Sequence, residues 1–304
     1  MIEYRKSGLS LNWIVGCPLE CGYCVRHLFD NFEMKVPRRL MSDEEAVTRL
    51  VSHPYFRAHK TPIQLLNRAT DPMLPIVKPH VLNVLRNLDE QGLTNHVLII
   101  TRWRVTPKDC AVLNSFTNLR LTVLVTHSNI ADPAIEPVDS RIAAESLRTL
   151  YEHAERYRTV LYWRPIVPGL NDSDTDIERA RELSQHAHAT VFTGLFFREE
   201  IASYYESHGL PMPYDETARR KIMPQAAEER ILAAFQDSAW GGSVPQDELR
   251  CRLRPQRGRL QRPLRRPRAV RHLPQGPDRA MPGGVGQAGS GDSHPGSPSP
   301  RRNG

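Results

Sequence analysis

The 304-residue chain carries 41 Lys and Arg against 34 Asp and Glu, a formal net charge of +7, and is long enough for one large domain or two small ones with a substantial core. The excess is local: residues 241–304 hold 13 Arg, no Lys and 4 acidic residues, a net of +9, which leaves residues 1–240 at −2. A nearly neutral body excludes any argument from basicity that the folded part grips nucleic acid. No apolar run approaches the ~20 residues that span a bilayer, and the start Met1-Ile2-Glu3-Tyr4-Arg5-Lys6 leads into no apolar signal region.

A first strand is expected over Leu9–Val15, and it runs directly into the loop Cys17-Pro18-Leu19-Glu20-Cys21-Gly22-Tyr23-Cys24. Three thiolates in a C-x3-C-x2-C loop can hold three corners of a 4Fe–4S cube and leave the fourth iron open to a substrate or cosubstrate, whereas an electron-carrying cluster usually takes four cysteines. A structural zinc site with His27 as fourth ligand is the second reading, but the separate ligand pair such sites usually draw on is missing. A disulfide is weaker still, because cysteines are few and no secretory segment precedes them. Free thiols of this kind fit a reducing, cytoplasmic interior.

Downstream, apolar runs alternate with amphipathic stretches. A helix is expected over Ser42–Ser52, with Ser42 and Glu45 as a capping box. The strand Pro62–Leu66 leads to Asn67-Arg68-Ala69-Thr70-Asp71-Pro72, where Asp71 and nearby carbonyls can accept from an ammonium, although an ordinary Asp-Pro turn reads the same way. After the helix Lys78–Gln91, ended by Gly92, the strand His96–Thr101 delivers Arg102, which can take a carboxylate bidentately. The helix Pro107–Asn114 places Cys110 as a small buried hydrophobe. The strand Leu119–Val125 then opens onto Thr126-His127-Ser128-Asn129, hydroxyl and amide groups suited to a ribose or a substrate.

Ile135-Glu136-Pro137-Val138-Asp139-Ser140-Arg141 leads into a helix expected over Ser140–Tyr157, with Glu136 and Arg141 as a buried ion pair bracing the strand end. The strand Val160–Arg164 follows, then Arg164-Pro165 through Asn171-Asp172, the helix Asp174–Gln185, the strand Thr190–Leu195 and a last helix over Asp215–Phe235. Phe196, Phe197, Arg198, Tyr204 and Tyr205 either line a substrate mouth or simply pack. His53, His59, His80, His153, His186, His188 and His208 share no metal-ligand spacing and read as surface residues.

Six strands each followed by a helix imply an α/β fold, a partial (β/α)6 TIM-type barrel with ligand sites at the carboxyl ends of its strands. This organises residues 1–240 as one domain. Residues 241–304 are Arg, Pro and Gly without periodicity and read as a disordered or frameshifted tail. The 35 Arg against 6 Lys in the whole chain suggest GC-rich coding, from which an out-of-frame stretch gives such a mixture. A basic arm binding nucleic acid is the competing reading of the tail.

The cysteine loop, Thr70-Asp71-Pro72, Thr101-Arg102, Glu136-Pro137 with Arg141, and the Arg164-Pro165 to Asn171-Asp172 run occur in the order found in one family. Over about residues 9–235 the chain resembles the radical S-adenosylmethionine enzymes, and among them the spore photoproduct lyase-like branch. The resemblance implies that Cys17, Cys21 and Cys24 ligate a 4Fe–4S cluster, with Tyr23 packed over it. The open iron would chelate S-adenosylmethionine, whose reductive cleavage gives methionine and a 5′-deoxyadenosyl radical that abstracts hydrogen from a substrate. It implies further that Thr70, Asp71, Arg102 and Ser128 surround S-adenosylmethionine and that Arg164 reaches the cosubstrate or the substrate. Arg102 stands where relatives commonly carry Lys. A small flavodoxin- or ferredoxin-like electron donor is implied as partner, with no membrane. The substrate stays open between nucleic acid, as in DNA lesion repair, and a peptide or small molecule. Relatives often carry a further cysteine beyond the barrel, and Cys251 falls in the aberrant tail.

Overall fold

The alternation of apolar runs with amphipathic stretches is realised as an eight-stranded sheet layered with helices, beside a separate two-stranded ribbon. The computed structural model describes residues 1–5 and 7–236, together with the backbone of 250–253. In chain order the elements are β1 (Ile2–Arg5), β2 (Gly8–Leu11), β3 (Ile14–Val15), a 3-10 turn (Val25–Phe29), β4 (Arg38–Arg39), α1 (Asp43–Val51), β5 (Ile63–Leu65) and α2 (Lys78–Glu90). They continue as β6 (His96–Thr101), α3 (Pro107–Ser115), β7 (Arg120–His127), α4 (Ser140–Glu152), β8 (Arg158–Ile166), α5 (Asp174–Ser184), β9 (Ala189–Gly194), α6 (Glu199–Ser207), α7 (Gln225–Gln236) and β10 (Arg250–Leu253).

The sheet order is β1-β2-β5-β6-β7-β8-β9-β10. The run from β2 to β9 is parallel, and β1 and β10 add antiparallel edges. The expected six-unit partial barrel is therefore present as an open sheet. One face of the strands builds a lumen core of Leu124, Val160, Tyr162, Ala189 and Val191, packed by Leu98 and Ile100. The period of two along each strand makes this pattern. The opposite face joins the helices in a larger core that includes Leu85, Val97, Val123, Val125, Leu147 and Leu161.

The differences from expectation have local causes. The first strand divides at Asn12-Trp13, because Trp13 turns to donate to Asp43 Oδ1 at 2.9 Å. The hairpin of β1 with β2 was unforeseen; it turns at Gly8 (φ 126°), where a side chain would strike the Pro62 carbonyl at 2.1 Å. At α1 only half of the capping box forms: Ser42 accepts from the Glu45 N–H, while the Glu45 carboxylate pairs with Arg49 at 2.5 Å. Full boxes occur instead at Thr106–Asp109 and Ser173–Asp176.

The helix expected to reach Tyr157 stops at Glu152 because Asn114 intervenes: its amide donates to the His153 carbonyl and its oxygen accepts the N–H groups of Glu155 and Arg156. The last helix begins at Gln225 rather than Asp215, behind Pro224, which supplies no N–H. Residues 215–223 form a strap across the end of β9, tied by Ala218 N–H to the Phe197 carbonyl and Ile222 N–H to the Leu195 carbonyl, both at 2.8 Å. Within the stretch read as a disordered or frameshifted tail, the backbone of Arg250–Leu253 pairs antiparallel with Ala189–Phe192. Residues 254–304 lie outside the described residues. Among the described residues no helix is long and apolar enough to cross a membrane.

Candidate active site at the strand ends

The cysteine loop leaves the sheet after β3 and folds over the carboxyl ends of the parallel strands. Gly16 (φ 100°) makes the turn, where a side chain would lie 2.3 Å from the Val36 carbonyl. The Cys17 N–H donates to Met34 O at 2.8 Å, Gly22 N–H to Ile135 O at 2.9 Å and Cys24 N–H to Cys21 O at 2.9 Å. Beneath the loop lies Arg26, only 2% exposed. Its guanidinium donates to the carbonyls of Cys17, Asn31, Phe32 and Met34 at 2.5–3.1 Å. A charged residue at this depth persists because its two terminal nitrogens find carbonyl acceptors. Its proximity to Cys24 was a signal in the sequence, but its burial was not.

Cys17, Cys21 and Cys24 are free thiols, the first two buried. They line one cavity of about 100 Å³ together with Tyr23, Thr70, Asp71, Thr101, Arg102, Thr126 and Arg164. Burial pushes the thiols of Cys21 and Cys24 up, so neither carries charge readily without a compensating cation. Among the described residues no three His, Cys, Asp or Glu side chains converge as ligands of one ion. The three thiols face a shared space rather than a shared point, and His27 stacks on Phe32 with ring centroids 3.6 Å apart.

Three buried polar atoms around this cavity have no protein partner: Thr70 Oγ1, Thr126 Oγ1 and Arg164 Nε. Buried polar groups are ordinarily hydrogen-bonded, so the wall offers donors and acceptors to a polar guest. Soft thiols on one side and unpaired polar groups on the other fit a thiolate-held cluster with a polar cosubstrate beside it.

The remaining predicted residues are engaged with protein partners. Asp71 accepts from Thr101 Oγ1 (2.6 Å), the Arg102 N–H (2.8 Å) and the Met73 N–H (2.9 Å). It braces the β5 and β6 ends, and burial outweighs those donors in pushing its carboxyl up. Arg102 does not stand free: its Nη1 donates to both oxygens of Glu136, at 3.0 and 2.8 Å. The Tyr23 hydroxyl bonds to Glu136 and to Arg102. Ser128 donates to Glu136 Oε2 at 2.9 Å, and at this strand end Thr126 lines the cavity.

The expected pair of Glu136 with Arg141 is not formed. Arg141 instead binds Asp139 at 2.6 Å, exposed on the outer side of α4. With Asp139 at the N-cap and Arg141 two residues on, the local contact is reached before the distant one. Asn171, fully buried, ties the β7 and β8 ends by donating to Ser128 O and Pro165 O and accepting from the Val167 N–H. Phe197 and Tyr205 pack in the core beside Cys21 and Tyr23 rather than lining a mouth. Cys110 is buried as expected. Of the histidines read as surface residues, His80 departs by pairing with the buried Asp43 at 2.9 Å.

Comparison with known proteins was made at two levels. No protein-family model and no curated protein matches the sequence. Among solved structures, spore photoproduct lyase complexed with dinucleoside spore photoproduct superposes with a TM-score of 0.55 at 11% identity, covering 78% of this chain and 75% of that one. A point mutant of the same lyase gives 0.58 at 11% identity over the same shares. The chain shares the fold of spore photoproduct lyase. The likeness read from the motifs thus holds at the level of the fold.

Proposed function

We propose that this chain is a radical S-adenosylmethionine enzyme. Cys17, Cys21 and Cys24 would hold a 4Fe–4S cluster, and Thr70, Thr126 and Arg164 would meet the cosubstrate. One observation carries the reading: three free thiols and three unpaired buried polar atoms share one cavity at the carboxyl ends of parallel strands. Arg26 fixes the loop from below, and Tyr23 with Arg102 and Glu136 forms a rigid wall. Asp71 lines the cavity while bracing the β5 and β6 ends, and Ser128 holds the wall through Glu136. A small flavodoxin- or ferredoxin-like donor in the cytoplasm would supply the electron.

The test is anaerobic reconstitution with iron and sulfide. The protein should turn brown, absorb broadly near ~400 nm as thiolate-held clusters do, and release 5′-deoxyadenosine from S-adenosylmethionine on reduction. Replacing the three cysteines by Ala should abolish both. A colourless protein holding one zinc per chain would remove the proposal.

DNA lesion repair is the second reading, favoured by the fold shared with a lyase solved with a dinucleoside lesion. The −2 charge of residues 1–240 gives little help with the phosphate contacts that a duplex requires. Turnover of a dinucleoside photoproduct would establish it.

A further inference from the structure

Next to the cysteine cavity, the lumen holds two cations with no acidic counterpart. Val160, Tyr162 and Arg164 follow one another at intervals of two along β8, and the Arg164 guanidinium lies over the Tyr162 ring, 4.4 Å from its centroid. Lys221 approaches the same ring from the strap after β9, its Nζ 3.2 Å from the Tyr162 hydroxyl. Among the described residues neither cation forms a salt bridge with a carboxylate, whereas thirteen other ion pairs are formed. Arg164 Nε is buried without any partner, and Tyr162 is only 6% exposed.

The strap is positioned for this purpose by its tethers. Ile222 bridges to Leu195, and Gly194 leaves room for the crossing, since a side chain there would lie 1.8 Å from the Ile222 carbonyl. Tyr214 donates to that carbonyl at 3.2 Å. Burial raises the Tyr162 hydroxyl, yet the fields of Arg164 and Lys221 outweigh it and the group sits below the usual tyrosine range. The field beside this buried ring is thus electropositive and favours a charge-assisted hydrogen bond to an anion.

We propose that the substrate carries an anionic group, carboxylate or phosphate, bound between Arg164 and Lys221 over Tyr162. This rests on the reading of the neighbouring cavity as the cluster and cosubstrate site. It assigns Arg164 to the seam between cosubstrate and substrate, and Lys221 to the substrate alone. An uncharged substrate would leave Arg164 Nε buried without a partner.

The experiment uses the full chain without iron. Inorganic phosphate and acetate are titrated separately while the Nε–H resonance of Arg164 is followed. At least one anion should shift it saturably, and which one binds more tightly names the group. Lys221→Gln should weaken that binding about tenfold, as loss of one charge-assisted bond predicts, and Lys221→Arg should restore most of it. Thermal melting of each variant shows that the fold persists. In reconstituted protein, Lys221→Gln should leave S-adenosylmethionine binding unchanged. No saturable shift with either anion, a superimposable Lys221→Gln curve, or loss of S-adenosylmethionine binding in Lys221→Gln would each overturn the assignment. Failure of reconstitution would strike the cluster reading instead and leave the anion titration standing.

Discussion

Arg102 Nη1 lies 2.8 Å from Glu136 Oε2, with both side chains almost wholly buried and the Tyr23 hydroxyl bonded to each. The pair joins the end of β6 to the loop after β7 and closes one wall of the cysteine cavity. Burial lowers the Arg102 pKa while Cys21, Glu136 and Tyr23 raise it, and the net displacement is upward. The cation is therefore fixed.

Removing one member leaves the other charge buried and alone. Glu136→Ala should destabilise the fold by about 3–5 kcal/mol, a fall in Tm of about 10 °C. Glu136→Gln keeps an acceptor for Arg102 and should cost less than half as much. Calorimetric melting of the two variants checks this, and equal costs would show that the retained acceptor contributes nothing and the lost charge carries the whole effect.

Arg26 satisfies four carbonyls with one side chain, a geometry that lysine cannot copy. Arg26→Lys should lower stability by about 2–3 kcal/mol. It should also reduce iron uptake on reconstitution, because Cys17 O loses its anchor. Far-ultraviolet dichroism should stay unchanged. Normal uptake by the Lys variant would show that the loop holds itself.

His127 ends β7, 2% exposed. Burial, then the field of Arg179, lowers it from the usual 6.5 to about 4. The folded ring stays neutral where the unfolded ring protonates. Stability from this residue is thus present above pH 6.5 and lost as pH falls towards 4, by about 3 kcal/mol in all. His127→Phe should flatten the acid limb of a Tm–pH curve between those values. An acid limb parallel to the parent's would show that His127 does not contribute.

Gly194→Ala should displace the strap, since the added carbon would meet the Ile222 carbonyl at 1.8 Å. A loss of about 1–3 kcal/mol is expected, together with weaker protection of the Ile222 amide in hydrogen exchange. Unchanged protection would mean that the strap is held from elsewhere.

Much of this was legible in the sequence. The β6 boundaries agree to the residue, and the β5, β8 and β9 positions follow from apolar runs between capped helices. The spacing of the three cysteines pointed to the candidate site, and the structure sets them on one cavity. What was hidden depends on partners distant in sequence. Glu136 is separated from Arg102 by 34 residues and from Arg141 by five, and only the fold shows that the distant cation is the buried one. Arg26 was overlooked because burial of a guanidinium is set by carbonyls and has no periodicity. Lys221 was absorbed into a predicted helix, since nothing in its neighbours signals the bridge of Ile222 to Leu195.

The cysteine loop is held by the Met34, Ile135 and Cys21 carbonyls and by Arg26, none of which involves a thiol. Its shape is therefore set by the polypeptide before anything reaches the sulfurs. Small metal domains fold only as they take up metal, so a chelator unfolds them. Here chelation and unfolding are separable events: stripping the thiols should leave a soluble, fully structured vessel that can be refilled, and loading becomes a late step in the life of the chain.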